Sequence, residues 1–436
     1  MSSAKISIWD TTVGYISWDN RNNTAIFESE KGYVDSPINI APLLHPDKKE
    51  LLFGNNHHEK FLGMIPTFND SLPDSFGNVV FKEWLEQIDI DQSEMNPIER
   101  LLYVGKRGIG ALEYHKGKDI PNITHNLDLS ELSQISDKII KRKYLQEDFI
   151  HNPDALRNIL TIGSSVGGAQ AKILVAITRE QKKENEKILA GDIIHPIPVD
   201  YYIVKLEHDS QDTWYREKNY VEFVYNQIAK DIGINVTDSR LILEGGRAHF
   251  ASKRFDRVNN RKIHKQTVNA LTGFFGKNTE FSYEHIFRVM EYLKLPSDQK
   301  NQLFMQMVFN VVASNRDDHT KNFSFLMDEK GQWSFSPAYD LTFPFDPYQS
   351  FGIPHKISIN NKVKGINRED LVVTAKKVGI LNYNEIIDNI VDCVSTFSKR
   401  IKEYDLNQKT VQLVMADIEK NINRVKSSSD NSYEIY

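Results

Sequence analysis

The strongest constraint on this chain is a polar octet, residues 315–322, that lies between two predicted regular elements. The octet reads Asn-Arg-Asp-Asp-His-Thr-Lys-Asn. Before it, apolar residues recur at helical spacing and predict an amphipathic helix: Met305, Val308, Phe309 and Val312. After it, alternating aromatic residues on both sides of Gly331 predict a β-hairpin. A polar loop anchored by rigid elements at both ends is a place where a fold can hold catalytic side chains.

Three side chains in this region have the spacing of a phosphoryl-transfer site. Asp317 precedes Asn322 by five residues, and Asp340 follows at the far end of the hairpin. A kinase-type enzyme needs a carboxylate that accepts the proton of the substrate hydroxyl, an Asn at the same separation, and an Asp on the Mg²⁺ ions that bridge the nucleotide phosphates. The same spacing also suits an ordinary polar loop leading into a hairpin, so the motif needs support from the rest of the chain.

Composition restricts the classes of function that remain. The formal charge of −5 provides no basic field for binding DNA or RNA through bulk electrostatics. The single cysteine, Cys393, excludes an internal disulfide and a thiolate cluster for zinc. The first residues lack the apolar core of a signal peptide, and no uninterrupted apolar run is long enough to span a membrane. We therefore expect a cytoplasmic protein that does not bind membranes.

The chain of 436 residues is long enough for several domains, and its patterns suggest where they lie. Residues 1–115 are predicted to form an α+β module, in which Asn96 and Pro97 start a helix that ends at Gly105. Residues 116–256 contain β-rich runs, whereas residues 257–426 are mainly helical. Helices are expected at 283–293, 298–313, 367–378, 385–404 and 408–425. The polar tail 427–436 is predicted to be disordered.

Two segments in the middle of the chain have features of an anion site. Glycines at 163, 167 and 168 suit a loop whose backbone approaches an anion, although a glycine-rich hairpin turn is an equal alternative. Lys205 stands in the β-rich run 199–206, and Glu222 follows in a predicted helix. A strand lysine followed by a helix glutamate is the kinase arrangement in which an ion pair positions the nucleotide phosphates. Either residue alone is more often a surface charge.

In this order, the motifs resemble those of the HipA family of toxin serine/threonine kinases, the kinase half of bacterial toxin–antitoxin pairs. The resemblance runs over almost the whole chain. It is carried by residues 71–77, 104–112, 165–172, 202–206, 253–257, 315–324, 338–340 and 355–362. It implies an α+β, protein-kinase-like two-lobed fold with a β-rich N-terminal region, an added N-terminal module and a mainly α-helical C-terminal lobe. The last segment matches the family without a role that its residues reveal.

The resemblance also implies roles for individual residues. Asp317 would be the catalytic base, and Asn322 and Asp340 would bind Mg²⁺. Lys205 would contact the α and β phosphates, with Glu222 behind it. The whole nucleotide site would comprise Val166, Gly167, Gly168, Ala169, Gln170, Ala171, Lys172, Lys205, Glu222, Lys253, Arg254, Phe255, His319, Thr320, Lys321, Asn322, Tyr339 and Asp340.

Regulation and partners are implied in the same way. Family members autophosphorylate a serine of the phosphate loop, which displaces the loop and switches the kinase off. Ser165 aligns with that serine, and the adjacent Ser164 is the alternative. ATP and Mg²⁺ would be the cofactors, and an aminoacyl-tRNA synthetase, glutamyl-tRNA synthetase in particular, would be the substrate. A small helix-turn-helix antitoxin of the HipB type would be the partner, and DNA would be reached only through it.

Two positions depart from the family pattern. Lys253 stands where the family often has Glu, and Asp318 replaces a commonly small residue beside the catalytic Asp. We expect the extra charge of Asp318 to be tolerated if its side chain points outward.

Two other interpretations of the whole set stay open. The first is a catalytically idle kinase fold that acts as a corepressor with a DNA-binding partner. The second is a metal-dependent phosphohydrolase with Asp317, Asp318 and His319 as ligands.

Overall fold

The computed structural model describes residues 2–54, 61–73, 75–87, 95–115, 126–145, 159, 162–163, 170–209, 213–274, 280–344 and 353–427. The chain divides into two compact units. The first unit comprises residues 1–209, 242–273 and 326–332, and the second comprises residues 210–241, 274–325 and 333–436.

Strands concentrate in the first unit and helices in the second. The strands in chain order are β1 (Ser3–Ile8), β2 (Thr11–Asp19), β3 (Thr24–Ser29), β4 (Leu52–Phe53), β5 (Leu112–His115), β6 (Lys172–Thr178), β7 (Ile188–Ala190), β8 (Val199–Lys205), β9 (Ser239–Glu244), β10 (Arg247–Lys253), β11 (Arg257–Val258), β12 (Arg261–Lys262), β13 (His264–Thr267), β14 (Ser324–Met327) and β15 (Trp333–Phe335). The helices are α1 (Lys31–Val34), α2 (Pro66–Asn69), α3 (Ser75–Gln87), α4 (Pro97–Val104), α5 (Leu129–Leu145), α6 (Thr213–Ile232), α7 (Val268–Thr272), α8 (Tyr283–Tyr292), α9 (Ser297–Val312), α10 (Arg368–Val378), α11 (Tyr383–Ser395), α12 (Phe397–Ile401) and α13 (Gln408–Ser427). Short 3-10 turns lie at Lys183–Asn185 and Thr320–Asn322.

The N-terminal sheet of the first unit has five strands in the order β4-β3-β2-β1-β5. The pairs β1–β2, β2–β3 and β1–β5 are antiparallel. Ile6, Val13 and Phe27 are buried, as expected for a sheet with one face against a core. Helix α4 starts at Asn96, whose side chain accepts hydrogen bonds from the backbone of Ile98 and Glu99, so the predicted helix start is confirmed.

The second sheet of this unit has the order β7-β6-β8-β10-β9. Every residue of β6 is buried. One core cluster joins this sheet to α3 and α5, and it includes Phe81, Leu132, Ile139, Ile173 and Val175. Because both faces of β6 are covered, the strand reads as a continuous apolar run rather than an alternating one.

The second unit confirms most of the predicted helices, but one of them is divided. The predicted helix 385–404 is two helices, α11 and α12, separated at Thr396. The Thr396 hydroxyl donates to the Cys393 carbonyl at 2.6 Å and accepts from Arg400 Nε at 3.0 Å. Such local side-chain bonds compete with the helical backbone ladder, which apolar periodicity alone does not reveal.

Two further predictions concern the end of the chain and the membrane. Of the tail 427–436, only Ser427 lies within the described residues, where it ends α13. Among the helices that the structure describes, none has both the length and the apolar character needed to cross a membrane.

Candidate active site

The polar octet forms a loop closed by its own hydrogen bonds. Helix α9 delivers the chain to Ser314, which has a φ of 59° and turns it sharply. The 3-10 turn Thr320–Asn322 follows, and the Asn322 backbone N–H donates to the His319 carbonyl at 2.8 Å. The Asn322 side-chain amide donates to the Asp317 carbonyl at 2.7 Å. Because its nitrogen is used in this way, Asn322 offers its side-chain oxygen to any ligand.

Asp317 is accessible and electrostatically coupled to its neighbours. Its side chain is 47% exposed, and its carboxylate lies 3.8 Å from His319 Nε2. Removal from water raises the pKa of Asp317, His319 opposes the shift, and the negative charge of Asp340 adds to it. A carboxylate with a raised pKa is a better proton acceptor than an ordinary one.

The predicted metal residue Asp340 is held in an uncommon conformation. Its φ is 54°, in the left-handed region that residues other than glycine adopt infrequently. The preceding residue, Tyr339, fastens this segment to the octet because its hydroxyl donates to the Lys321 carbonyl at 2.6 Å and lies 2.5 Å from Ser324 Oγ. Asp adopts this region more readily than most other residues do, so the conformation costs little here.

The oxygen atoms of this loop fit a magnesium ion that is shared with phosphates. Carboxylate and amide oxygens are the ligands that Mg²⁺ takes in proteins, usually with one or two protein carboxylates and the rest from water or phosphate. Asn322 and Asp340 provide such a partial set. Among the described residues, no group of three or more His, Cys, Asp or Glu side chains could hold a metal by itself.

Asp318 does not point outward, so the condition under which its charge was expected to be tolerated is not met. Its side chain has no exposed surface and accepts hydrogen bonds from the Tyr283 hydroxyl at 2.9 Å, His355 Nδ1 at 2.7 Å and the Lys356 backbone at 2.8 Å. With its oxygens engaged in this way, Asp318 does not join Asp317 and His319 as a metal ligand. The phosphohydrolase interpretation required Asp318 as one of three metal ligands, so the structure does not support it.

Two predicted lysines lie side by side in the first unit. Lys172 of β6 and Lys205 of β8 are direct partners across the antiparallel pair, so their side chains leave the same face of the sheet. Both are 7% exposed. The Lys205 ammonium lies 5.9 Å from the centre of the Phe250 ring. Like charges directly opposite each other on a sheet repel, so other groups must compensate this pair.

The end of the glycine-rich segment is tied to the lysine strand. Gln170 Nε2 donates to the Leu206 carbonyl at 3.0 Å, and the Leu206 backbone N–H donates to the Ala171 carbonyl at 2.9 Å. Val166, Gly167, Gly168 and Ala169, together with Ser164 and Ser165, lie outside the described residues.

The predicted nucleotide-binding segment 253–255 has its charged side chains engaged elsewhere. Lys253 Nζ lies 2.9 Å from Asp200, and Phe255 is half-buried. Arg254 donates to both carboxylate oxygens of Asp256 at 2.8 Å and is buried. Contact with a nucleotide through the backbone of this segment stays a prediction, and the guanidinium of Arg254 takes no part in it.

The remaining predicted residues lie in the second unit. Glu222 is buried in α6. Thr320 is buried too, and its hydroxyl donates to the Phe274 carbonyl at 3.4 Å. Lys321 and His319 are half-buried. Sequence reasoning missed Tyr283 and His355 as partners of the octet, and their separations of 35 and 37 residues from Asp318 carry no periodic signal.

Two family models cover most of the chain. One, described as the HipA N-terminal domain, matches residues 4–115, and the other, described as a HipA-like C-terminal domain, matches residues 164–400. The second match alone spans more than half of the chain, so this protein belongs to the HipA family.

A solved structure shares the fold. It is the complex of HipA and HipB of Shewanella oneidensis with their operator DNA, and the match covers 99% of this chain and 100% of that one with a TM-score of 0.67 at 18% identity. The likeness confirms the predicted fold class, in which strands dominate one part of the chain and helices the other.

Curated relatives are matched only in part. The serine/threonine-protein kinase toxin HipA of Shewanella oneidensis is 27% identical over 152 residues, which are 30% of this chain and 35% of that protein. A protein of Haemophilus influenzae that bears the name "Putative kinase" is 23% identical over 195 residues, which are 41% of this chain and 52% of that protein. The matches thus span about a third to a half of each relative's length.

Proposed function

We propose that this protein is an ATP- and Mg²⁺-dependent serine/threonine protein kinase that acts as the toxin of a toxin–antitoxin pair. The observation that carries the proposal is the octet, where an accessible Asp317 is joined to Asn322 by a hydrogen bond and Tyr339 fastens the Asp340 segment to the same loop. The paired Lys172 and Lys205 supply independent support for a phosphate-binding function.

Each group has a distinct task in such a reaction. Asp317 accepts the proton of the substrate hydroxyl and orients that oxygen towards the γ-phosphate. The Asn322 amide oxygen and the Asp340 carboxylate would hold Mg²⁺, which would supply charge neutralisation on the phosphate oxygens. Lys205 binds the phosphates, with Lys172 beside it. The protein forms no covalent intermediate in such a reaction, so the rate enhancement comes from positioning the reactants and neutralising charge.

Regulation and partners follow from family membership. We place the regulatory phosphate on Ser165, with Ser164 as the alternative, and mass spectrometry after incubation with ATP identifies the modified residue. The partner is a small HipB-like antitoxin, and the HipA of Shewanella oneidensis supports this because it was solved with HipB and operator DNA.

The substrate is a component of translation, with glutamyl-tRNA synthetase as the first candidate. Labelled ATP with the purified synthetase tests this choice, and the same reaction in a cell lysate reveals any other target. A role as a catalytically idle corepressor is the second candidate, because the solved relative is bound to operator DNA together with HipB. Binding of Mg-ATP without transfer to any protein would favour that role.

The catalytic assignment is tested by Asp317→Gln. This variant should bind nucleotide in calorimetry as the wild type does, yet lose phosphate transfer by about 10²–10⁴-fold, because only the proton acceptor is gone. Asp298→Asn is the matched control, since Asp298 is an exposed residue in the first turn of α9 and should retain full activity. Full activity of Asp317→Gln would show that another group removes the proton.

A further inference from the structure

A chain of buried polar groups runs beneath the octet in the second unit. Asp318 accepts from the Tyr283 hydroxyl at 2.9 Å, and that hydroxyl accepts from Asn310 Nδ2 at 2.9 Å. Asn310 Oδ1 accepts from Asn315 Nδ2 at 2.9 Å, and the same nitrogen lies 3.5 Å from the carbonyl oxygen of Asp340. The chain therefore starts beside the catalytic Asp317 and ends at the backbone of the predicted metal residue.

The other side of Asp318 is held by the family segment whose role the sequence did not reveal. His355 Nδ1 donates to Asp318 at 2.7 Å and the Lys356 backbone donates at 2.8 Å. This segment is itself fixed to the start of α8, because the Tyr283 backbone donates to the Ser358 carbonyl at 3.0 Å. Residues 355–358 thus connect α8 to the octet.

Asp317 lies between two residues that are anchored to the body of the unit. On one side Arg316 forms an ion pair of 2.6 Å with Asp417 of α13, whose side chain is 6% exposed. On the other side Asp318 has no exposed surface. The Asp317 carbonyl also accepts from the His319 backbone at 2.9 Å. With both neighbours and its own carbonyl fixed, Asp317 has little freedom except to present its carboxylate to solvent.

A purely structural role would not require charge at this place. A buried carboxylate loses its hydration, and apolar residues of similar volume are often as stable or more so. A carboxylate that accepts three hydrogen bonds instead fixes the position and orientation of its own backbone. Burial and the charge of Asp318 raise the pKa of Tyr283, which keeps that hydroxyl protonated.

We infer that Tyr283, Asp318 and His355 are positioning residues that hold Asp317 and Asp340 in register for phosphate transfer. The inference rests on the proposed kinase function, because it assigns a purpose to the geometry of that site. A displacement of about 1 Å at a catalytic group can lower the rate by about 10²-fold. Loss of one link should therefore affect turnover more than nucleotide binding.

The first test is Tyr283→Phe, which removes one hydroxyl and leaves the ring packed against Phe323. We expect kcat to fall by about 10- to 100-fold, with KM for ATP within about twofold of the wild type. Tyr114→Phe is the matched control, because Tyr114 is also buried and its hydroxyl donates to Ser71 at 2.8 Å in the first unit. The control should keep kcat unchanged. Equal kcat values for wild type and Tyr283→Phe would overturn the inference.

A second test asks whether the residues act as one unit. Asp318→Asn replaces an acceptor of three bonds with a group that must turn an N–H towards one of its donors. The double variant with Tyr283→Phe should lose no more activity than the worse single variant, because either change releases the same backbone. Losses in kcat that multiply would mean that the two residues act independently and would contradict the inference.

Hydrogen exchange separates this inference from the proposed function. Amides of residues 316–322 should exchange faster in Tyr283→Phe than in wild type, and Tyr114→Phe should leave them unchanged. If wild type transfers no phosphate to any protein, the kinase proposal fails, and the exchange result alone decides whether the network holds the octet. Unchanged exchange in Tyr283→Phe would refute the positioning role in either case.

Discussion

At the scale of single residues, Asp256 is a buried carboxylate that depends on neighbouring positive charges. It is 2% exposed and accepts from Arg254, from Arg257 at 2.8 Å and from the Gly110 backbone at 2.8 Å. Burial alone would raise the pKa of this carboxyl, but the two guanidinium groups hold it far below its usual range. Arg257 also donates to the Gly108 carbonyl at 2.9 Å. This network ties the N-terminal module to the segment after β10.

Asp256→Asn should destabilise the first unit by about 3–5 kcal/mol, because it leaves two buried guanidinium groups without their counter-charge. Chemical denaturation followed by circular dichroism measures the loss. Arg179→Gln is the control: it breaks the ion pair of Arg179 with Asp200, in which the Arg179 side chain is 52% exposed, and should cost at most about 1 kcal/mol. Similar losses in both variants would show that the Asp256 network stabilises no more than a surface pair.

At the scale of elements, the turn between β14 and β15 depends on Gly331. Its φ is 79°, and a Cβ placed there would lie 2.5 Å from the Pro37 carbonyl oxygen. The turn is also shaped by Asp328, whose side chain accepts from the backbone of Lys330 and Gln332 at 2.9 Å each. The sequence predicted the glycine for its turn, whereas its close approach to Pro37 appears only in the folded unit.

Gly331→Ala should therefore combine backbone strain with a steric clash. Gly246→Ala isolates the first effect, since Gly246 has a φ of 76° and nothing within 4 Å of its Cβ position. We expect a loss of about 1–2 kcal/mol for Gly246→Ala from the left-handed conformation, and about 1–3 kcal/mol more for Gly331→Ala from the contact. Denaturation midpoints give both values. An equal loss in the two variants would mean that Pro37 moves aside without cost.

At the scale of the whole molecule, two buried histidines make stability depend on pH. Burial lowers the pKa of His249 to about 4 and that of His264 to about 3, from an ordinary value of 6.5. At pH values between 6.5 and these lowered pKa values, the two histidines bind protons in the unfolded chain but not in the folded chain. Stability should therefore be full above pH 6.5 and fall as the pH decreases through this window. Burial raises the pKa of Asp192, so the folded chain takes up its proton at a higher pH than the unfolded chain does, which opposes the effect of the histidines.

A comparison of His264→Phe with wild type isolates one of these histidines. One pKa unit is worth about 1.4 kcal/mol, so between pH 7.5 and pH 5.0 the wild type should lose about 2 kcal/mol more than the variant. The carboxylates of Asp137 and Asp256 contribute little to this difference, because their lowered pKa values affect stability only at more acidic pH. The free energy of unfolding at both pH values gives the answer. Parallel losses in the two proteins would show that His264 is protonated in the folded state.

The sequence by itself determined the local elements and the octet. Apolar periodicity predicted α8, α9, α10 and α13 to within two residues at each end, and the glycine and aromatic pattern predicted the β14–β15 hairpin. These features depend on interactions between residues that are close in the chain, which is why a single sequence reveals them.

Only the tertiary structure decided what lies beneath the octet. Asp318 points inward because Tyr283 and His355, which are 35 and 37 residues away, bring donors to it in the folded unit. The helix break at Thr396 and the ion pair of Arg254 with Asp256 were also not predicted. Both depend on hydrogen bonds of individual side chains, which a periodic pattern of apolar residues does not reveal. A charged side chain is buried only where partners converge, and that convergence is a property of the packed molecule.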